Sequence, residues 1–157
     1  MKRSTKILIG VVGTLAAIQV VQLERTNPPV AVASEIAPPD DVKAVLKRAC
    51  YDCHSHETVW PWYSRVAPAS WLVHRDVVDG RGHLNFSEWG LLPPEKRIRK
   101  LTGIGREVGS GDMPPWFYLP LHSHARVSEA DKQLLQRWVE AQKAKEPAIE
   151  PGKEPAK

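Results

Sequence analysis

The sequence predicts one small all-α domain behind an apolar N-terminal segment, and three observations carry that prediction. Apolar residues recur at helical spacing, as in Val42, Val45, Leu46 and Ala49, or in Leu134, Leu135 and Trp138. No stretch alternates apolar and polar residues with a period of two, and there is no internal repeat. Fourteen prolines in 157 residues, about twice the usual share, break the chain into short elements and exclude a long coiled coil. A 42% hydrophobic and 25% charged composition excludes an extended disordered chain, and the length leaves room for one core.

Lys2, Arg3 and Lys6 precede an apolar run over residues 7–23, broken only by polar residues such as Thr14, Gln19 and Gln22. A cationic start followed by an apolar stretch is the pattern of an export signal or membrane anchor, and a chain opening this way is not expected to bury the run in its core. At 1.5 Å per residue the run reaches about 25 Å, slightly short of a hydrocarbon core of about 30 Å. A small-residue cleavage site at Ala31, Val32 and Ala33 lies far from the apolar run, behind Pro28 and Pro29, which favours an uncleaved anchor. The cationic end is then expected on the cytoplasmic side and the rest in the periplasm or cell exterior.

Residues 24–39, with paired prolines at 28/29 and 38/39, read as an extended spacer standing the domain off the membrane. The domain is expected over residues 40–144. Its first helix starts at Asp40, the N-cap candidate, with Asp41 near the positive helix end, and leads into the two cysteines. Residues 57–69 form an aromatic loop, and a short helix over residues 70–79 is capped by Ser70 and stopped by Gly80. A loop through Phe86 and Trp89 leads to a helix opened by Pro93 and Pro94, with Ile98, Leu101 and Val108 on one face. Residues 109–125, rich in glycine and proline, are irregular. Ser128 and Asp131 then make a capping-box-like start to the last helix, and residues 145–157 form a disordered tail.

The net charge of +4 comes mostly from the N-terminus. Four of 22 bases and one of 18 acids lie in residues 1–33, leaving 18 and 17. That near balance excludes a nucleic-acid footprint.

The chemistry concentrates at residues 50–54, CYDCH, which use both cysteines of the chain. C-x-x-C-H is the arrangement of covalent c-type haem attachment. On one helical turn the two sulfurs share a face, able to form thioethers to the haem vinyl groups, and His54 one residue on reaches the iron. Three other readings stay open. A Cys50–Cys53 disulfide would close a very small loop and stabilise little. A thioredoxin-like pair wants its first cysteine at a helix N-terminus after a strand, whereas here a helix precedes it. A zinc site from Cys50, Cys53, His54 and a distant histidine lacks an obvious second ligand pair.

Met113, in the segment GDMPP, is the candidate distal ligand; apart from the initiator it is the only methionine. Its alternative role is core filling. His74, His83, His122 and His124 compete for the iron, whereas His56 follows the motif too closely to reach the far face. The six tryptophans, at 60, 62, 71, 89, 116 and 138, are expected to wall the pocket and core, and Arg65, Arg75 and Arg81 are candidates for pairing propionates.

The blocks RTNPP (25–29), CYDCHSHETVWPWY (50–63), APASWLV (67–73), HLNFSEW (83–89) and GDMPP (111–115) resemble the small bacterial haem-binding domain family of membrane-anchored or exported proteins related to c-type cytochromes. The resemblance spans residues 24–142. It implies a cytochrome c-like helical fold in which the first and last helices of the domain pack together. It also implies Cys50 and Cys53 as thioether sites, His54 as proximal ligand and Met113 as distal ligand, and assigns no role to His122 or His124. The expected protein is an anchored periplasmic cytochrome holding one covalent haem c and its iron, exchanging single electrons with redox partner proteins. A haem enzyme or gas sensor with an open or labile distal site is the rival expectation, and a zinc module the third.

Overall fold

The computed structural model describes residues 2–30 and 34–146. The cleavage-like triplet at residues 31–33 and the tail beyond residue 146 lie outside them. Six α-helices run in the order α1 (Arg3–Ile18), α2 (Asp40–Ala49), α3 (Tyr51–His54), α4 (Ala69–His83), α5 (Pro94–Ser110) and α6 (Glu129–Lys143), with 3-10 turns at Trp62–Arg65, Phe86–Leu91 and Ser123–Ala125. Among the described residues there is no strand.

Helix α1 buries none of its residues. It ends at Ile18 rather than continuing to Leu23, and no helix of the described residues is long and apolar enough to cross a membrane. The described parts of the expected spacer lie on the domain. Asn27 donates to the Thr58 carbonyl at 2.9 Å, and Arg25 to that of Ser64 at 3.0 Å. Core packing begins ahead of Asp40: Ile36 is buried and its N–H donates to the Phe86 carbonyl at 2.9 Å.

The core forms where α2, α5 and α6 converge. Val42, Val45 and Leu46 of α2 meet Leu101, Ile104 and Val108 of α5 and Leu135, Trp138 and Val139 of α6, with Tyr51, Phe86 and Trp89 completing the cluster. Each helix contributes residues three and four apart, the spacing that makes one face apolar. Helices α2 and α6, the first and last of the domain, pack together, and α5 packs along α6. The two helices meet beside Gly105, where a Cβ would stand 3.6 Å from Val139, an ordinary van der Waals contact.

Local signals explain most boundaries and correct two. The last helix starts with the expected capping box: the Asp131 N–H donates to Ser128 Oγ at 3.2 Å, and the Ser128 N–H donates to Asp131 Oδ2 at 2.8 Å. Asp40 is not the cap of α2. It is already helical behind Pro39, and Asp41 instead accepts from the Val42 N–H. Gly80 does not stop α4, which begins at Ala69 and runs on to His83; Ser70 makes no cap. Tertiary packing at Gly80 overrides its weak helix propensity. Glu146, expected in the free tail, closes a two-pronged ion pair on Arg97 at 2.7 and 2.8 Å.

Candidate functional site

Helix α2 ends at Ala49, Cys50 leaves helical geometry at φ −128°, and α3 restarts the turn that carries Cys53 and His54. The His54 N–H donates to the Cys50 carbonyl at 2.9 Å, so the five motif residues form one tight unit. Helix α4 packs against α3 at Gly80, where an added Cβ would lie 2.4 Å from the Cys53 carbonyl oxygen. Only a residue without a side chain allows this approach.

That approach places two acceptors on one face of His54. Its Nδ1 lies 2.9 Å from the Gly80 carbonyl oxygen and 3.1 Å from that of Leu84. Carbonyl oxygens only accept, so Nδ1 carries the proton and Nε2 keeps its lone pair. Burial lowers the His54 pKa, against the opposing pull of the two carbonyls, which favours the neutral imidazole that a metal requires. Fixing one ring nitrogen so that the other points at a metal is how ligating histidines are oriented.

Cys50, Cys53 and His54 line a cavity of about 970 Å³, at the upper end of the roughly 300–1,000 Å³ of small-molecule and cofactor sites. Leu84, Phe86, Leu92, Ile104, Val108 and Phe117 give it an apolar wall. Met113 lines it as well. The turn after α5 brings it there: Gly111 takes φ +84°, its N–H donates to Val108 and the Asp112 N–H to Glu107, a Schellman closure that folds the chain back. Met113 is 37% exposed, so it stands at the cavity surface and not in the packed core.

Both cysteines are free thiols, and burial pushes each pKa up to about 12. A redox-active cysteine pair needs a lowered thiol pKa, so this environment opposes the thioredoxin-like reading. Among the described residues no group of three or more His, Cys, Asp or Glu side chains is arranged to hold a metal ion, which leaves the zinc reading without a ligand set.

The chain matches the family model described as haem-binding domain over residues 13–141. It belongs to the haem-binding domain family. No curated protein and no solved structure matches it. The cavity of this haem-binding domain suits its ligand, for two cysteines, a histidine and a methionine lie among its mostly apolar lining. Gly82 and Gly103 also line it, and a Cβ at either would meet nothing within 4 Å, so neither wall is closed by packing.

Several expected residues lie elsewhere. None of the six tryptophans lines the cavity: Trp89 and Trp138 are core, while Trp62 and Trp116 are 77% and 80% exposed. The core takes Trp89 and Trp138, and Phe86, Phe117 and smaller apolar residues line the site. Arg81 is occupied by the Ser55 and Thr26 carbonyls, Asn27 and Thr58, Arg75 pairs with Asp76, and none of Arg65, Arg75 or Arg81 lines the cavity. The cations that do line it are Lys96, Arg99, Lys100 and Arg106 of α5. Arg99 and Lys100 follow Lys96 by three and four residues and Arg106 follows Arg99 by seven, and that helical spacing was the readable signal for this stripe.

Of the competing histidines only His83 lines this cavity, and its Nδ1 faces the Asp79 carbonyl at 2.8 Å. His122 belongs to a separate network behind Cys53. Its Nδ1 donates to the Tyr118 carbonyl at 3.1 Å, so its Nε2 accepts from Tyr63 Oη at 3.2 Å. The Tyr118 ring stacks on it at 3.8 Å and its hydroxyl donates to Asp52 Oδ2 at 2.7 Å. Sequence spacing held no sign of this link between the turn that carries the two cysteines and the segment after Met113.

Proposed function

We propose that the protein carries one haem c, attached through Cys50 and Cys53 with His54 and Met113 as axial ligands, and passes single electrons between redox partner proteins in the bacterial cell envelope. The observation that carries this reading is the bond pattern of His54. Its Nδ1 is spent on two carbonyls, and the residue lines one cavity with both cysteines. A haem bound there supplies an iron that cycles between ferric and ferrous states.

The chain's own residues do the rest. Cys50 and Cys53 supply the thiols for the two thioethers, and Gly80 and Leu84 hold the imidazole in one tautomer. The apolar wall limits water at the iron, which tunes its potential. The side chains of Lys96 and Arg99 make no hydrogen bond or ion pair among the described residues, which leaves them free to meet the propionates. The packing of α2 on α6 agrees with a cytochrome c-like arrangement. Helix α1, apolar behind a cationic start, is read as the membrane attachment with the domain on the periplasmic side.

The test is a haem-stained denaturing gel with absorption spectra of the oxidised and reduced protein. Covalent haem, c-type bands, the weak far-red ferric methionine band and no response of the reduced form to carbon monoxide are expected. A shift with carbon monoxide would move the reading to an enzyme or gas sensor, which the exposure of Met113 favours as the second reading. Covalent haem retained after joint Cys50→Ala and Cys53→Ala substitution would overturn the attachment.

A further inference from the structure

We propose that the surface around Trp62, Val66 and Leu72, where α1 joins the domain, rests in the headgroup layer of a lipid bilayer, so that the domain is held against the membrane in one orientation. This rests on the reading of α1 as the membrane attachment and adds to it a second, non-helical contact.

The first observation is that α1 does not leave on a free tether. The Gln19 amide brackets the Ala67 backbone, Nε2 donating to its carbonyl at 3.0 Å and Oε1 accepting from its N–H at 2.9 Å. Trp71 Nε1 donates to the Val21 carbonyl at 3.1 Å, and Arg25 to that of Ser64 at 3.0 Å. Each of these bonds pins the end of the apolar run to the loop between α3 and α4 or to the first turn of α4.

The second observation is what surrounds those bonds. Val66 adjoins Ala67 and is 44% exposed, Leu72 adjoins Trp71 and is 45% exposed, and Trp62 stands 77% exposed two residues before Ser64. Val20 and Val21, between the pinned residues, are 84% and 53% exposed. An apolar collar thus continues the apolar surface of α1, whose Ile7, Leu8 and Val12 are all more than half exposed. No charged residue falls between Lys6 and Glu24, and Lys2, Arg3 and Lys6 suit anionic headgroups at the other end. Tryptophan at the junction of an apolar segment with its polar domain sits where interfacial rings concentrate. Continuity with a helix that carries no charge beyond Lys6 and buries none of its residues selects lipid as the occupant over a second copy of the chain. None of the collar residues lines the large cavity, so lipid contact leaves that cavity clear.

The experiment uses the full chain in vesicles of phosphatidylethanolamine and phosphatidylglycerol doped with a photoactivatable phospholipid, and reads lipid adducts on tryptic peptides. Adducts are expected on residues 7–25 and on residues 66–75, the latter well above those on residues 127–132 at the start of α6, since interfacial residues contact lipid. Gln19→Ala is expected to lower the yield on residues 66–75 while leaving residues 7–25 labelled. Adducts on residues 7–25 alone would overturn the collar and leave the anchor standing. Adducts on neither would overturn both. Equal labelling of residues 66–75 and 127–132 would mean that the surface has no preferred side toward lipid, which also overturns it.

Discussion

Gly80 and Cys53 touch with no space for a side chain between them: a Cβ on Gly80 would stand 2.4 Å from the Cys53 carbonyl oxygen and 3.0 Å from its Cβ. The same glycine presents its carbonyl to His54. One backbone contact therefore sets both the approach of α4 to the motif and the orientation of the imidazole.

Gly80→Ala should separate α4 from α3. Helix propensity favours alanine by up to about 1 kcal/mol, but overpacking against backbone costs about 1–3 kcal/mol, so a net loss of stability is expected together with a weakened His54–Gly80 bond. Thermal unfolding and haem yield check this. A variant as stable as the parent with an unaltered low-spin spectrum would show that the contact relaxes without cost.

Met113→Ala should leave covalent haem in place, because the cysteines and His54 lie on other elements, while removing the far-red ferric band. The reduced protein should then bind carbon monoxide, and its potential should fall as the methionine ligand is lost. A spectrum unchanged by the substitution would take Met113 off the iron. His83, which shares the cavity, would be the next residue to replace.

The bond from Tyr118 to Asp52 ties the chain five residues beyond Met113 to the turn that carries Cys50 and Cys53. The aspartate is already engaged on its other oxygen by the Val59 N–H at 2.9 Å, so it forms a fixed post. Tyr118→Phe keeps the ring stacked on His122 and removes only this bond, worth about 1.5–3 kcal/mol to a charged acceptor. The expected result is a distal segment that opens more readily. The ferric methionine band should be lost at a lower denaturant concentration than in the parent, with haem retention unchanged, and coincident loss in both proteins would remove Tyr118 from the positioning of the segment.

Much of this was legible in sequence because it was local. The apolar period marked α2, α5 and α6, Ser128 and Asp131 announced their capping box, and the spacing of Cys50, Cys53 and His54 identified the motif. Features set by tertiary contact were not. Gly80 reads as a helix stop in isolation, yet continues α4 because packing against Cys53 demands the missing side chain. The tryptophans read as pocket lining by size alone, but rings fill whichever interface the helices form. Residues 24–39 read as a spacer from their prolines, which report extended backbone and say nothing of the hydrogen bonds that Asn27 and Arg25 make across the chain.

Asp131 offers a test of the core independent of haem. Burial raises its pKa, but hydrogen bonds from Ser128 and Arg48, with the Arg48 charge, outweigh it and hold the carboxyl down to about 2. A carboxyl whose pKa is depressed by folding stabilises the protein above its ordinary value of 3.8, and that contribution is lost as pH falls toward 2. Because Arg48 of α2 pairs with Asp131 at the start of α6 at 2.6 Å, the group joins the first and last helices of the domain as well as capping one of them. Asp131→Asn should therefore cost about 1–2 kcal/mol at neutral pH, the range of a lost cap. Unfolding curves of the two proteins should converge as pH drops through the range from 4 to 2. A difference that stayed constant across that range would mean that the charge of Asp131 contributes nothing and that amide and carboxylate differ only in shape.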